Sequence, residues 1–161
     1  MPSELIGTSA LGIAALISIV LTMLRRPRWT DTVSIERVSR VFLFGLAAQC
    51  LHFMEESLTH FPVRLPELLG LPPWPDDFFV VFNLLWLAVW ILSSIGLRAG
   101  YRVAMFPIWF FAISCLVNLI AHPILSLAVG GYFPGLLTSP LVGLFGVWLV
   151  MRLIALTRPS R

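Results

Sequence analysis

Apolar residues fall into five long runs along the chain, each closed by arginine, proline or glycine before the next begins. The runs predict helices over residues 4–24, 34–59, 77–95, 101–129 and 136–156, each near or above the roughly 20 residues needed to cross a bilayer. The first stops at Arg25, Arg26, Pro27 and Arg28, where proline forbids continuation and the arginines suit headgroups. Between the second and third runs lies HFPVRLPELLGLPPWPDD, His60 to Asp77, the longest connection. Its prolines are too closely spaced for a helix of any length to be expected there. One all-α domain over residues 1–161, a polytopic transmembrane bundle of five helices, follows from this pattern.

The polar positions inside the runs are fewer and more telling. At 100° per residue, Gly45, Ala48, Gln49, His52, Glu55, Glu56 and Thr59 share one stripe of the second helix, with Val41, Phe42, Leu43, Leu51, Phe53 and Leu58 opposite. Asn118 and His122 share a face of the fourth helix with Cys115 and Ser126, and Asn83 lies with Trp86, Trp90 and Ser94 on the third. His52, Asn83 and His122 each sit roughly 10 Å from the same end of the bundle at 1.5 Å per residue. A pocket of His52, Glu55, Glu56, Asn83, Asn118 and His122, flanked by Trp86 and Trp90, would let these costly groups satisfy one another. GGYFPG, 130–135, forms a tight turn above His122, with Tyr132 over the mouth.

Composition and charge agree with burial in lipid. The chain is 58% hydrophobic with a mean hydropathy of +0.93, well above soluble domains. Its eleven basic residues are all arginines, and all but Arg64 fall on one side once the helices alternate, placing the N-terminus outside and the C-terminus inside the cell membrane. The net charge of +3 therefore reports topology rather than nucleic acid. The first run lacks a basic leader and a small-residue cleavage site, and reads as a retained span. Cys50 and Cys115 read as free thiols inside spans. Thr8, Gly12 and Ala15, and Ser139, Gly143 and Gly146, read as packing stripes, and Trp29, Trp74 and Trp148 as interface anchors. Asn83 is expected to bond between helices, Ser94, Ser114 and Ser126 to their own backbones, and His60 and Glu67 to be solvated.

Two imidazoles and one or two carboxylates are a ligand set for zinc or non-haem iron, with His52, Glu55, Glu56 and His122 as candidate ligands. The spare glutamate would act as general base or help bridge two metals, with Asn118 and Asn83 orienting substrate. The site would then be that of an enzyme acting on a lipid-like or hydrophobic small molecule entering from the bilayer. A second reading is metal-free acid–base catalysis by Glu55, Glu56 and the histidines on a sterol or isoprenoid, Trp86 and Trp90 stabilising a carbocation. That layout is loosely similar to the emopamil-binding sterol isomerases. A third reading is a proton, metal or small-molecule carrier, and the plainest is a set of polar groups that only fix helix packing. No phosphate-binding loop or nucleophile elbow occurs.

His52, Glu55 and Glu56 in HFMEE, then His122, then Tyr132 to Gly135 in YFPG, together resemble the HXXEE-motif family of small microbial membrane proteins. The resemblance runs from the second helix to the last turn. It strengthens these residues as a site, implies a bacterial or archaeal plasma membrane, and implies no particular reaction.

Overall fold

In the computed structural model, which describes residues 9–159, the apolar runs become helices in the expected order. They are α1 (Ser9–Leu24), α2 (Thr32–Leu58), α4 (Asp76–Arg98), α5 (Met105–Val129) and α6 (Ser139–Leu156), with a 3₁₀ turn at Arg102–Ala104 before α5. A further helix, α3 (Phe61–Leu68), lies in the connection where none was expected. Among the described residues, α4, α5 with its preceding 3₁₀ turn, and α6 are long and apolar enough to cross a membrane. Large side chains such as Leu58, Leu92, Val103 and Leu127 face outward, as they would against lipid.

Local chemistry explains the helix ends. Asp31 caps α2, its carboxylate accepting the Ser34 N–H at 3.0 Å, and that bond holds the carboxyl below its ordinary value. Gly70, Gly100 and Gly130 close α3, α4 and α5 in left-handed conformations. In each case the following residue's N–H reaches back to a last-turn carbonyl (Pro66, Gly96 and Ser126).

The proline-rich connection folds because its prolines are harmless where they stand. Pro62 occupies the first turn of α3, where an N–H has no helical partner. Pro66 cannot donate to the Pro62 carbonyl, and the Trp74 N–H does so instead at 2.9 Å. Trp74 is thereby folded inward, buried against Phe61, Phe78 and Phe79, and does not serve as the expected interface anchor. Trp148 is partly exposed with Arg152 over its ring, and Trp29 is half-buried.

α5 is the hub, burying Ile108, Trp109, Phe110, Phe111, Ala112 and Cys115, with α1, α4 and α6 packed on it. α6 comes close because Gly143 and Gly146 carry no side chain. A Cβ at either would stand 2.6 Å from Leu119 or Cys115, so this small-residue stripe does pack as expected. The stripe expected on α1 holds only in part: Ala15 packs against the core as expected, but Gly12 meets open space, Leu11, Ala14, Ser18 and Leu21 also face the bundle, and Thr8 lies outside the described residues. Val41 and Phe42, expected outside, are buried, Phe42 edge-on to Phe111 at 5.2 Å. Cys50 is half-buried and Cys115 buried, both free. The chain end also pairs with the first turn, β1 (Arg25–Pro27) running antiparallel to β2 (Thr157–Pro159), a ladder too short to read from sequence.

Candidate metal centre

His52 and Glu56 stand four apart on α2, and α5 brings His122 against them. All three are buried, His52 completely. The two imidazoles meet edge-on with ring centres 4.7 Å apart, and each Nε2 lies 3.5 Å from the same oxygen, Oε1 of Glu56. Among the described residues this is the one group of three or more histidine, cysteine or acidic side chains that could hold an ion.

The neighbours decide which ring nitrogens carry protons. His122 Nδ1 lies 2.6 Å from the Pro134 carbonyl, which can only accept, so Nδ1–H donates and Nε2 keeps its lone pair. His52 Nδ1 lies 2.7 Å from the Thr138 hydroxyl. That hydroxyl gives its single proton to Glu55 Oε2, so it accepts from His52 Nδ1–H. Both Nε2 lone pairs therefore converge on a carboxylate oxygen with no donor between them, and His52 Nε2 has no hydrogen bond. Three acceptors facing one another in a buried space are repulsive unless a metal cation or a proton on one of them joins them, and the group is one that could hold an ion. Ligand atoms around a tetrahedral ion with bonds of about 2.1 Å lie about 3.4 Å apart, close to the two nitrogen–oxygen spacings here, and all three atoms lie within 4.8 Å of one another.

Glu55, expected with the ligands, instead turns its carboxylate toward the α5–α6 connection. It accepts the Tyr132 hydroxyl at 2.7 Å, the backbone N–H groups of Leu137 at 3.0 Å and Thr138 at 2.8 Å, and the Thr138 hydroxyl. The two N–H groups stand at the entrance to α6, where the helix dipole favours a negative charge. Burial, then the bond to Glu55, pushes the Tyr132 hydroxyl above its ordinary value and keeps it a donor.

Every position of YFPG thus has work at the site. Tyr132 holds Glu55, the Pro134 carbonyl sets the His122 tautomer, and Phe133 is fully buried with its N–H on the Ser126 hydroxyl. Gly135 lies against both rings at φ +86°, and a Cβ there would stand 2.3 Å from His122 Cε1 and 2.9 Å from His52 Cε1. Sequence reasoning saw a tight turn here and missed Thr138, whose signal was only its place three residues after the glycine.

Beside the ions' would-be ligands runs a cavity of about 550 Å³ between α4 and α5, bordered by Glu56 and His122. Asn83, Trp86, Trp90 and Asn118 line it, together with Phe61 from the unexpected α3. Asn83 donates to the Phe79 carbonyl of its own helix at 2.9 Å, not across helices as expected. Ser126 accepts from the connection and Ser114 has no partner, so neither bonds its own backbone. Trp90 donates to the Pro107 carbonyl at 3.1 Å, and Trp86 lies 4.3 Å from Phe110, closing the far end. His60 and Glu67 are exposed, as expected of solvated residues.

The family model described as "Protein of unknown function with HXXEE motif" matches residues 43–149, a span holding the whole group from His52 to Thr138. No curated protein and no solved structure matches the chain.

Proposed function

The chain belongs to the HXXEE-motif family, and on that footing we propose that it is a metal-dependent membrane enzyme whose ion is held by His52, Glu56 and His122. The observation that carries this reading is the convergence of two Nε2 lone pairs and one carboxylate oxygen, each nitrogen 3.5 Å from that oxygen. Two histidines and a carboxylate suit zinc with an open fourth position, or non-haem iron. Bound there, the ion would supply Lewis acidity toward a polar group of a substrate.

The protein's own residues do the rest. Glu55 positions His52 through Thr138, since a carboxylate behind a ligating imidazole fixes its tautomer and raises its basicity. Tyr132 and the start of α6 hold Glu55 in turn. Asn118 and Asn83 face the cavity and orient the substrate, and the aromatic walls exclude water. Because that cavity is mainly apolar, and Ile120 and Ile124 on its border are exposed on the flank of the bundle, the substrate is a lipid-like or hydrophobic molecule entering sideways. The arginine asymmetry supports five spans in a cell membrane, N-terminus outside, with the site in the outer half.

Elemental analysis of the detergent-purified protein, dialysed free of affinity-tag metal, tests this. Wild type should carry about one zinc or iron per chain, and His52→Ala and His122→Ala should each lose it, since a site stripped of a ligand binds far more weakly. Folded wild-type protein without metal would defeat the reading and leave metal-free acid–base chemistry, for which Trp86 and Trp90 also line the cavity.

A further inference from the structure

The cavity is long as well as apolar. Its lining along α5 runs from Phe110 to Leu125, about 22 Å of helix, with His122 near one end and Trp86, Trp90 and Phe110 at the other. Besides Asn83, whose amide donates to the Phe79 carbonyl of its own helix, three polar side chains interrupt the apolar wall between those ends. Ser114 and Asn118 share a face of α5, two turns and one turn from His122, and Gln49 borders the cavity from α2, two turns from Glu56.

Ser114 is the pointed case. Ser18 and Ser93 donate to carbonyls of their own helices at 2.6 and 2.7 Å, as buried helical serines ordinarily do. Ser114 is 93% buried and its hydroxyl, like those of Ser39 and Ser57, has no hydrogen-bond partner, but of these three only Ser114 borders the cavity. An unmatched hydroxyl beside an amide on the wall of an apolar slot is a cost unless the slot's occupant brings the partner.

We propose that Gln49, Ser114 and Asn118 form a polar subsite partway down the cavity. It takes a hydroxyl or carbonyl oxygen that an elongated amphiphilic substrate carries about 10–12 Å from the group meeting the metal, the distance two helical turns set. Ser114 and the two amides donate to that oxygen, and apolar chain fills the slot on either side. The substrate is thus bifunctional, which separates it from a simple fatty chain. This rests on the metal reading above, because the metal fixes the end from which the distance is measured.

The probes are three straight-chain dodecanoyl hydroxamates, whose head groups chelate zinc: one plain, one hydroxylated at carbon 5, one at carbon 9. At about 1.2 Å of extension per bond, only the last places its hydroxyl at the subsite. Titrated into zinc-loaded protein in nanodiscs, the carbon-9 isomer should bind about 5- to 10-fold tighter than the carbon-5 isomer. Ser114→Ala and Gln49→Leu should erase that preference while leaving the plain chain's affinity unchanged, which also shows that the variants are folded. Equal binding of the two isomers to wild type, with the plain chain bound, overturns the subsite and leaves the metal reading standing. Failure of all three to bind zinc-loaded protein overturns the metal reading, and the subsite with it.

Discussion

At Thr138 a single hydroxyl decides the state of a buried imidazole. It accepts from His52 Nδ1 and donates to Glu55, so one small side chain joins the carboxylate at the start of α6 to a candidate metal ligand. Thr138→Val keeps the shape and removes both bonds. We expect the variant to fold and to bind zinc about 10- to 100-fold more weakly in a chelator competition, the ordinary penalty for losing a group behind a ligating histidine, with Thr138→Ser restoring affinity. An unchanged affinity would mean that the relay does not set the tautomer. The histidines and glutamates were legible in the sequence because ionisable residues inside apolar runs demand partners. Thr138 was not, since threonine in a connection has many ordinary uses and its value here depends on a ring 86 residues away.

Among the elements, the α5–α6 seam carries the geometry of the site. Both helices must approach closely for the connection between them to lay Pro134 and Gly135 on the two rings, and Gly146 and Gly143 permit it. Gly146→Val would drive its branches into Cys115, whose Cβ is already within 2.6 Å of an added Cβ. A loss of about 1–3 kcal/mol is expected from such overpacking, read as a lower unfolding temperature in detergent together with loss of metal. Gly12→Ala, on the open side of α1, should leave the protein as stable or slightly more so. Helix existence was readable from hydrophobic runs, and the α6 stripe from small residues spaced three and four apart. Gly12 misled on α1 because small residues pack only where a neighbour arrives, and the neighbour meets Ala14, Ala15 and Ser18. α3 escaped because counting prolines ignores which carbonyls they leave free, and Trp74 satisfies the one that matters.

For the whole molecule the outstanding property is direction across the membrane. Gly131 in the α5–α6 connection and Ala99 after α4 are both exposed, and the proposed orientation, N-terminus outside, puts the first outside and the second inside. Gly131→Cys should react with a membrane-impermeant thiol reagent on intact cells, and Ala99→Cys only after the cells are opened. The reverse pattern would invert the proposed topology and place the candidate metal site in the inner half of the bilayer. At the same scale, the β1–β2 ladder ties the end of α1 to the end of α6 on the arginine-rich face, with Arg25 donating to the Thr157 hydroxyl at 2.7 Å and Arg28 to the Ala155 carbonyl. Arg25 and Arg28, two of the arginines on which the proposed orientation rests, therefore also close the bundle.

The sequence by itself determined the solvent and the cast of the site. Long apolar runs are stable in lipid only as helices, and a histidine with two glutamates inside one of them has to be compensated. Tertiary structure decided the roles. Glu55 and Glu56 are neighbours 100° apart on one helix, and nothing local distinguishes them. One meets two imidazoles and the other meets Tyr132, Thr138 and the start of α6, so one is placed to hold an ion and the other to orient what holds it. That division comes from which helix lies beside each face, a long-range fact that no spacing along the chain encodes.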